Sequence, residues 1–145
     1  MMLMYTGQTR AASQVLTEQK ATTQTNRGLL REMRDMAFEM QKVLQDESGP
    51  SPYTAIQRAG ELMHQGWLLK KGLAKGISSQ AIDGHYDQAR VHGAWGGKIL
   101  GAGGGGFLFL LAPPDRQAEI EKALPALKRV PVRLEPWGSR IIFVG

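Results

Sequence analysis

The chain contains no cysteine. A disulfide framework and a Cys-based zinc site are therefore excluded, and a reducing, cytoplasmic setting is expected. Long hydrophobic runs are missing too. The longest, Phe107–Ala112, falls far short of the ~20 residues that cross a bilayer, so no membrane partner is expected. The apolar start Met1–Tyr5 has no basic segment before it and no cleavage site after it, so it does not read as a signal peptide. His64, His85 and His92 show no H-E-x-x-H spacing, and no metal site is expected from them. Internal repeats and low-complexity linkers are absent, and the chain reads as one domain.

What is present is ordinary for a globular protein: 145 residues, 42% hydrophobic and 21% charged. The formal charge is +5 and the pI about 9.7. That balance fits a solvated basic surface. It also fits an anionic ligand, either a phosphorylated small molecule or nucleic acid, and net charge does not choose between them.

The pattern along the chain predicts a strand at Met1–Tyr5 and a turn at Gly7, followed by a polar, weakly helical connection. Leu29, Leu30, Met33, Met36, Ala37, Met40, Val43 and Leu44 recur at spacings of three and four. They predict a helix over about 26–45 with a methionine-rich core stripe. Ser51 and Pro52 open a second helix with Ile56, Ala59, Met63 and Trp67 as its buried face. A third runs from about Ser79 to His92, with Ile82, Tyr86 and Ala89 on one side. "FLFLLA" is a strand stopped by Pro113 and Pro114, apolar on both faces and so read as buried. "DRQAEIEKALPALK" is a short helix ended by Pro125. "VPVRLE" and "SRIIFVG" predict two strands joined at "PWG". The fold expected is α+β: a four-stranded, mostly antiparallel sheet with helices on one face and a split β-α-β unit.

The segment "GGKILGAGGGGFLFLLAPP" needs a reason for its glycines, which cost backbone entropy when ordered. A Walker A loop fails: Gly97-Lys98 is followed by Ile99, and His92 stands where the first glycine belongs. Gly101, Gly103 and Gly106 match G-x-G-x-x-G, but a strand follows where a helix must receive the pyrophosphate. A flexible linker would not carry Lys98, Ile99, Leu100 and Ala102 straight into a core strand. The remaining reading is an ordered loop whose backbone approaches another backbone or a ligand.

"KILGAGGGG", Lys98–Gly106, resembles the third conserved motif of the GHMP small-molecule kinases, which reads roughly K-x-x-G-A-G-x-G-G before a core strand. With "YTGQTRAASQVLTEQ" and "VPVRLEPWGSRIIFV", the chain is most similar to the branch acting on D-glycero-D-manno-heptose 7-phosphate, and more broadly to galactokinase-like sugar kinases. The resemblance implies the ferredoxin-like C-terminal domain of an ATP-dependent sugar or sugar-phosphate kinase over residues 1–145. The family's N-terminal domain, with its serine-containing phosphate loop and most Mg²⁺ contacts, has no counterpart here. "GISSQ" is the one pair of adjacent serines and lacks glycine-rich surroundings. The isolated chain is thus expected to be inactive, to need that N-terminal partner domain for ATP and Mg²⁺, and to self-associate without it.

By the same resemblance, Lys98, Gly101, Ala102, Gly103, Gly104, Gly105 and Gly106 form the loop at the nucleotide and substrate cleft. Lys98 serves the motif or merely supports the loop. Thr6, Gly7 and Arg10 match T-G-x-x-R. Arg10 faces the sugar phosphate, which guanidinium suits, or makes a plain surface ion pair. Lys70, Lys71 and Lys75 read as a solvated helix end, and Trp95 as a packing residue within reach of the cleft. Two rival functions are an assembly or small-ligand-binding subunit without catalysis, and an RNA-binding module. "GGFLFLL" lacks the basic residue of an RNP1 strand, so no nucleic-acid partner is expected.

Overall fold

The computed structural model describes residues 1–145 except 10, 47, 50, 137, 139–142, 144 and 145. Four strands, β1 (Met2–Tyr5), β2 (Gly96–Ile99), β3 (Phe107–Leu111) and β4 (Lys128–Val130), form one sheet in the order β2-β3-β1-β4. Every pairing is antiparallel. The helices are α1 (Ala12–Ala21), α2 (Arg27–Gln45), α3 (Pro52–Lys71), α4 (Gln80–Val91) and α5 (Gln117–Ala123). Because β3 and β4 both run against β1, they are parallel to each other, and β3-α5-β4 is a split β-α-β unit around β1.

Alternation along the strands separates two faces. Met2, Met4, Ile99, Leu108 and Leu110 are at most 1% exposed. They share one core with Val15, Trp67, Tyr86 and Ile120 from the helices. Leu3, Tyr5, Phe107 and Phe109 point the other way and are only partly covered; the Tyr5 and Phe107 rings lie 5.2 Å apart. The "FLFLLA" strand is therefore buried on one face, not on both as its composition suggests.

Local chemistry explains several boundaries. Ser51 caps α3 by accepting from the Tyr53 amide at 3.2 Å, with Pro52 in the first turn. Ser79 caps α4 by accepting from the Ile82 amide at 3.3 Å. α5 stops before Pro125, which cannot donate to the helix.

The polar stretch after Gly7, read as weakly helical, forms a regular helix, α1. Three expectations are corrected. The fourth strand of the sheet is β2, inside the glycine segment. Its glycines are needed because it packs against α3 at backbone distance: a β-carbon at Gly96 would collide with the Gly60 carbonyl, and one at Gly60 would stand 2.6 Å from Trp95 Cβ. The strand expected at "VPVRLE" begins and ends earlier, at Lys128–Val130, because Pro131 has no N–H for the ladder. Residues 131–136 adopt no regular structure; the expected "SRIIFVG" strand and the turn at Trp137 fall largely outside the described residues. Finally, the apolar stripe of α2 is only partly core: Val43 is buried and Leu29 and Met33 pack against the core half-buried, but Leu44 is 60% exposed, and Ile56 on α3 is also exposed.

Candidate functional site

The β2–β3 connection folds back over the end of β1. Thr6, buried at that end, donates from both its amide and its Oγ1 to the Gly106 carbonyl, each at 2.9 Å. The chain turns at Gly7, whose φ of 69° suits glycine. Gln8 then accepts from the Gly106 amide at 2.8 Å. Ile77, in the short turn Lys75–Ile77, accepts from the Gly104 amide at 2.8 Å. Lys70 Nζ, near the end of α3, donates to the Gly101 carbonyl at 2.6 Å. Ala102 packs against the core. Gly101 and Gly103–Gly106 all have positive φ, so no β-branched sequence would take this path.

The loop has two sides. A β-carbon at Gly103 or Gly105 would lie 2.7 Å from the Ile77 carbonyl oxygen or 2.6 Å from that of Gln8. At Gly101 and Gly106 it would meet nothing within 4 Å. Among the described residues, the amides of Gly101, Ala102, Gly103 and Gly105 have no backbone acceptor. A tethered backbone with several uncommitted amides is a natural anion cradle.

Two lysines flank it. Lys98, on β2 opposite Phe109, is half-buried and has no hydrogen-bond or ion-pair partner among the described residues. Lys70 is held below the ordinary lysine range, first by burial and then by repulsion from Lys98. The structure thus makes Lys70 a strut under the glycine loop, where composition had suggested a solvated helix end. Lys71 instead pairs with Asp83 at 2.9 Å, and Lys75 is exposed. Of the adjacent serines, Ser78 bonds Asp83 at 2.9 Å and Ser79 caps α4.

Thr6 and Gly7 therefore stand at the foot of the loop; Arg10 lies outside the described residues. Trp95 is not at the loop. It precedes β2 while the loop follows it, five residues on, a separation of about 16 Å at ~3.3 Å per residue. A larger hollow, of about 700 Å³, is lined by Met1, Glu121, Arg129 and Arg133, at the opposite end of β1 from the loop.

One polar pair was invisible to sequence spacing. His64 on α3 stacks on Tyr86 of α4, with Nδ1 2.8 Å from the phenol oxygen. Burial, reinforced by Arg90 and Lys71, lowers the His64 pKa, and burial pushes Tyr86 up to about 12. The two residues lie on different helices, and no local motif announces them. Among the described residues, no group of three or more His, Cys, Asp or Glu is placed to hold a metal ion, and no helix is long and apolar enough to cross a membrane.

The sequence profile described as "GHMP kinases C terminal" matches residues 52–129, which include α3, α4, the glycine loop and the split β-α-β unit. The chain belongs to the GHMP kinase C-terminal family. Within this family of small-molecule kinases, the chain is 31% identical over 128 residues to the L-fucokinase/L-fucose-1-P guanylyltransferase of Bacteroides fragilis, a match spanning 85% of the chain and 13% of that protein. Over 64 residues it is 33% identical to the D-glycero-alpha-D-manno-heptose 7-phosphate kinase of Campylobacter jejuni, covering 44% of the chain and 19% of that enzyme. The fold is that of L. major mevalonate kinase solved with R-mevalonate: TM-score 0.71 at 22% identity, over 88% of the chain and 40% of that structure. The GHMP kinase chain described here thus spans well under half the length of these relatives.

Proposed function

We propose that this chain is the substrate-side, C-terminal part of an ATP-dependent kinase that phosphorylates a sugar or sugar phosphate. D-glycero-D-manno-heptose 7-phosphate or a galactose-like sugar is the favoured substrate. The observation that carries the reading is the two-sided glycine loop. Its inner side is tied to Gln8 and Ile77, while Gly101 and Gly106 face open space. An N-terminal domain holding ATP and Mg²⁺ would close on that open side, with Lys98 and the free amides near the transferred phosphoryl group. Thr6, Gly7 and Arg10 would meet the sugar phosphate at the loop's foot. In phosphoryl transfer the protein contributes mainly positioning and electrostatic stabilisation, and a tethered loop beside two cations supplies both. The relatives named as acting on fucose and heptose 7-phosphate support a sugar acceptor, while the mevalonate kinases of Thermococcus gammatolerans and Pyrococcus furiosus, 37% and 41% identical over 82 and 71 residues, favour a non-sugar alcohol.

The test is thermal stabilisation by ATP with Mg²⁺, measured on the chain alone and with a GHMP N-terminal domain supplied. Stabilisation that requires both domains supports the reading. Stabilisation of the chain alone would place the nucleotide in this domain and overturn it. One observation favours a second reading, an assembly subunit without catalysis: the partly bare sheet face of Leu3, Tyr5, Phe107 and Phe109. No nucleotide response in either form would favour it.

A further inference from the structure

Helices α2 and α3 diverge over β2 and leave a groove of about 220 Å³. One wall carries Met33, Met36 and Met40; the other carries Leu62, Met63 and Trp67. Among the described residues, Lys70 and Lys98 are its only charged lining residues. Among the described residues no carboxylate lines the groove, so the two cations lack a counter-charge there. Trp67, although 1% exposed, has a buried indole N–H with no hydrogen-bond partner. Two ammonium groups brought together under partial burial cost free energy unless an anion compensates them. Methionine walls suit a ligand of loose shape, because the thioether side chain adapts. A volume of about 220 Å³ holds seven or eight small groups at ~30 Å³ each.

We propose that this groove is a binding site for a small amphipathic anion, with a phosphate or similar head on Lys70 and Lys98 and an apolar chain of about eight carbons between the methionine walls. The site adjoins the glycine loop through Lys70, which also holds the Gly101 carbonyl. An anion on Lys70 therefore competes with the strut that positions the loop, and, resting on the kinase reading, Lys98 is shared between the groove and the phosphoryl end of the cleft.

The probe is octyl phosphate, kept below its micelle concentration and titrated into the chain labelled with ¹³C at the methionine methyls. Saturable shifts are expected at Met33, Met36, Met40 and Met63, with Met2 and Met4 of the sheet core unmoved. Lys98→Met is expected to weaken the dissociation constant about tenfold, and octanol or inorganic phosphate alone to give no saturable methionine shift. Equal binding of octanol would overturn the anionic head. Equal binding of inorganic phosphate would overturn the apolar half. Uniform shifts of all methionines, or an unchanged constant in Lys98→Met, would overturn the site. If Lys98→Met does not fold, Met36→Glu places a negative charge on the groove wall and is expected to abolish the shifts at the other three; retained binding there also overturns the proposal. Neither ATP nor sugar enters the experiment, so its failure leaves the kinase reading untouched.

Discussion

Gly103 rests on Ile77. A β-carbon at position 103 would lie 2.7 Å from the Ile77 carbonyl oxygen and 2.8 Å from its Cα, and the next amide, Gly104, donates to that same carbonyl at 2.8 Å. The close approach is internal to the domain. A side chain here would break this domain's own packing before it met any partner domain. Gly103→Val is expected to cost about 2–4 kcal/mol of stability, through backbone strain at φ 114° plus the clash. Gly101→Ala meets no atom within 4 Å and is expected to cost only ~1–2 kcal/mol, for its left-handed φ. Urea unfolding of both variants checks the order; equal stabilities would contradict the two-sided loop.

Arg10 gives a kinetic prediction. In a reconstituted two-domain enzyme, Arg10→Ala is expected to raise KM for the sugar phosphate at least tenfold and to leave KM for ATP nearly unchanged. Loss of one binding contact on a single substrate has that signature. Equal effects on both substrates, or none, would reduce Arg10 to a surface ion pair.

The His64–Tyr86 stack predicts a pH response. Burial lowers the folded-state pKa of His64 below its ordinary value of 6.5. Between those two values the unfolded chain binds the extra proton and the folded one does not, so stability falls as pH drops below about 6.5 and is unaffected above it. Asp46, held below the usual carboxylate range by Ser48 and then Arg58, acts only at more acidic pH. Thermal scans between pH 7.5 and 5.5 should show a falling Tm that flattens in His64→Gln. An identical slope in the variant would remove His64 as the source.

The open sheet face predicts association. Leu3, Tyr5, Phe107 and Phe109 form a partly bare apolar surface, with Phe107 36% exposed. Such patches become interfaces, and two-fold dimers are the commonest closed assembly. Light scattering of the isolated chain is expected to find a dimer, with Phe107→Lys shifting it to monomer. A strictly monomeric wild-type chain at high concentration contradicts this.

Much of the architecture was legible because it is local. Ser51 with Pro52, Ser79, and the alternation around Leu108 and Leu110 announce themselves within a few residues. β2 was not legible, since a strand of Gly-Gly-Lys-Ile has almost no β-propensity. It exists because Gly60 and Gly96 let α3 approach, a contact between residues 36 positions apart. The α2 methionines carry the right periodicity for core, but period alone does not say whether the opposing wall closes. At the site, the glycine loop was readable from its motif. Its tethers were not: Gln8 and Ile77 act through backbone carbonyls that any sequence possesses, and Lys70 reaches the Gly101 carbonyl from 31 positions away.

The central proposal is that this chain supplies the C-terminal part of a sugar kinase. The most direct measurement is a coupled ADP-release assay with ATP, Mg²⁺ and D-glycero-D-manno-heptose 7-phosphate, run on the purified chain and again with a GHMP N-terminal domain added. The account predicts no sugar-dependent ADP release from the chain alone and release when both domains are present. Sugar-dependent turnover by the chain alone, or none in the reconstituted pair across heptose 7-phosphate and galactose-like sugars, would contradict it.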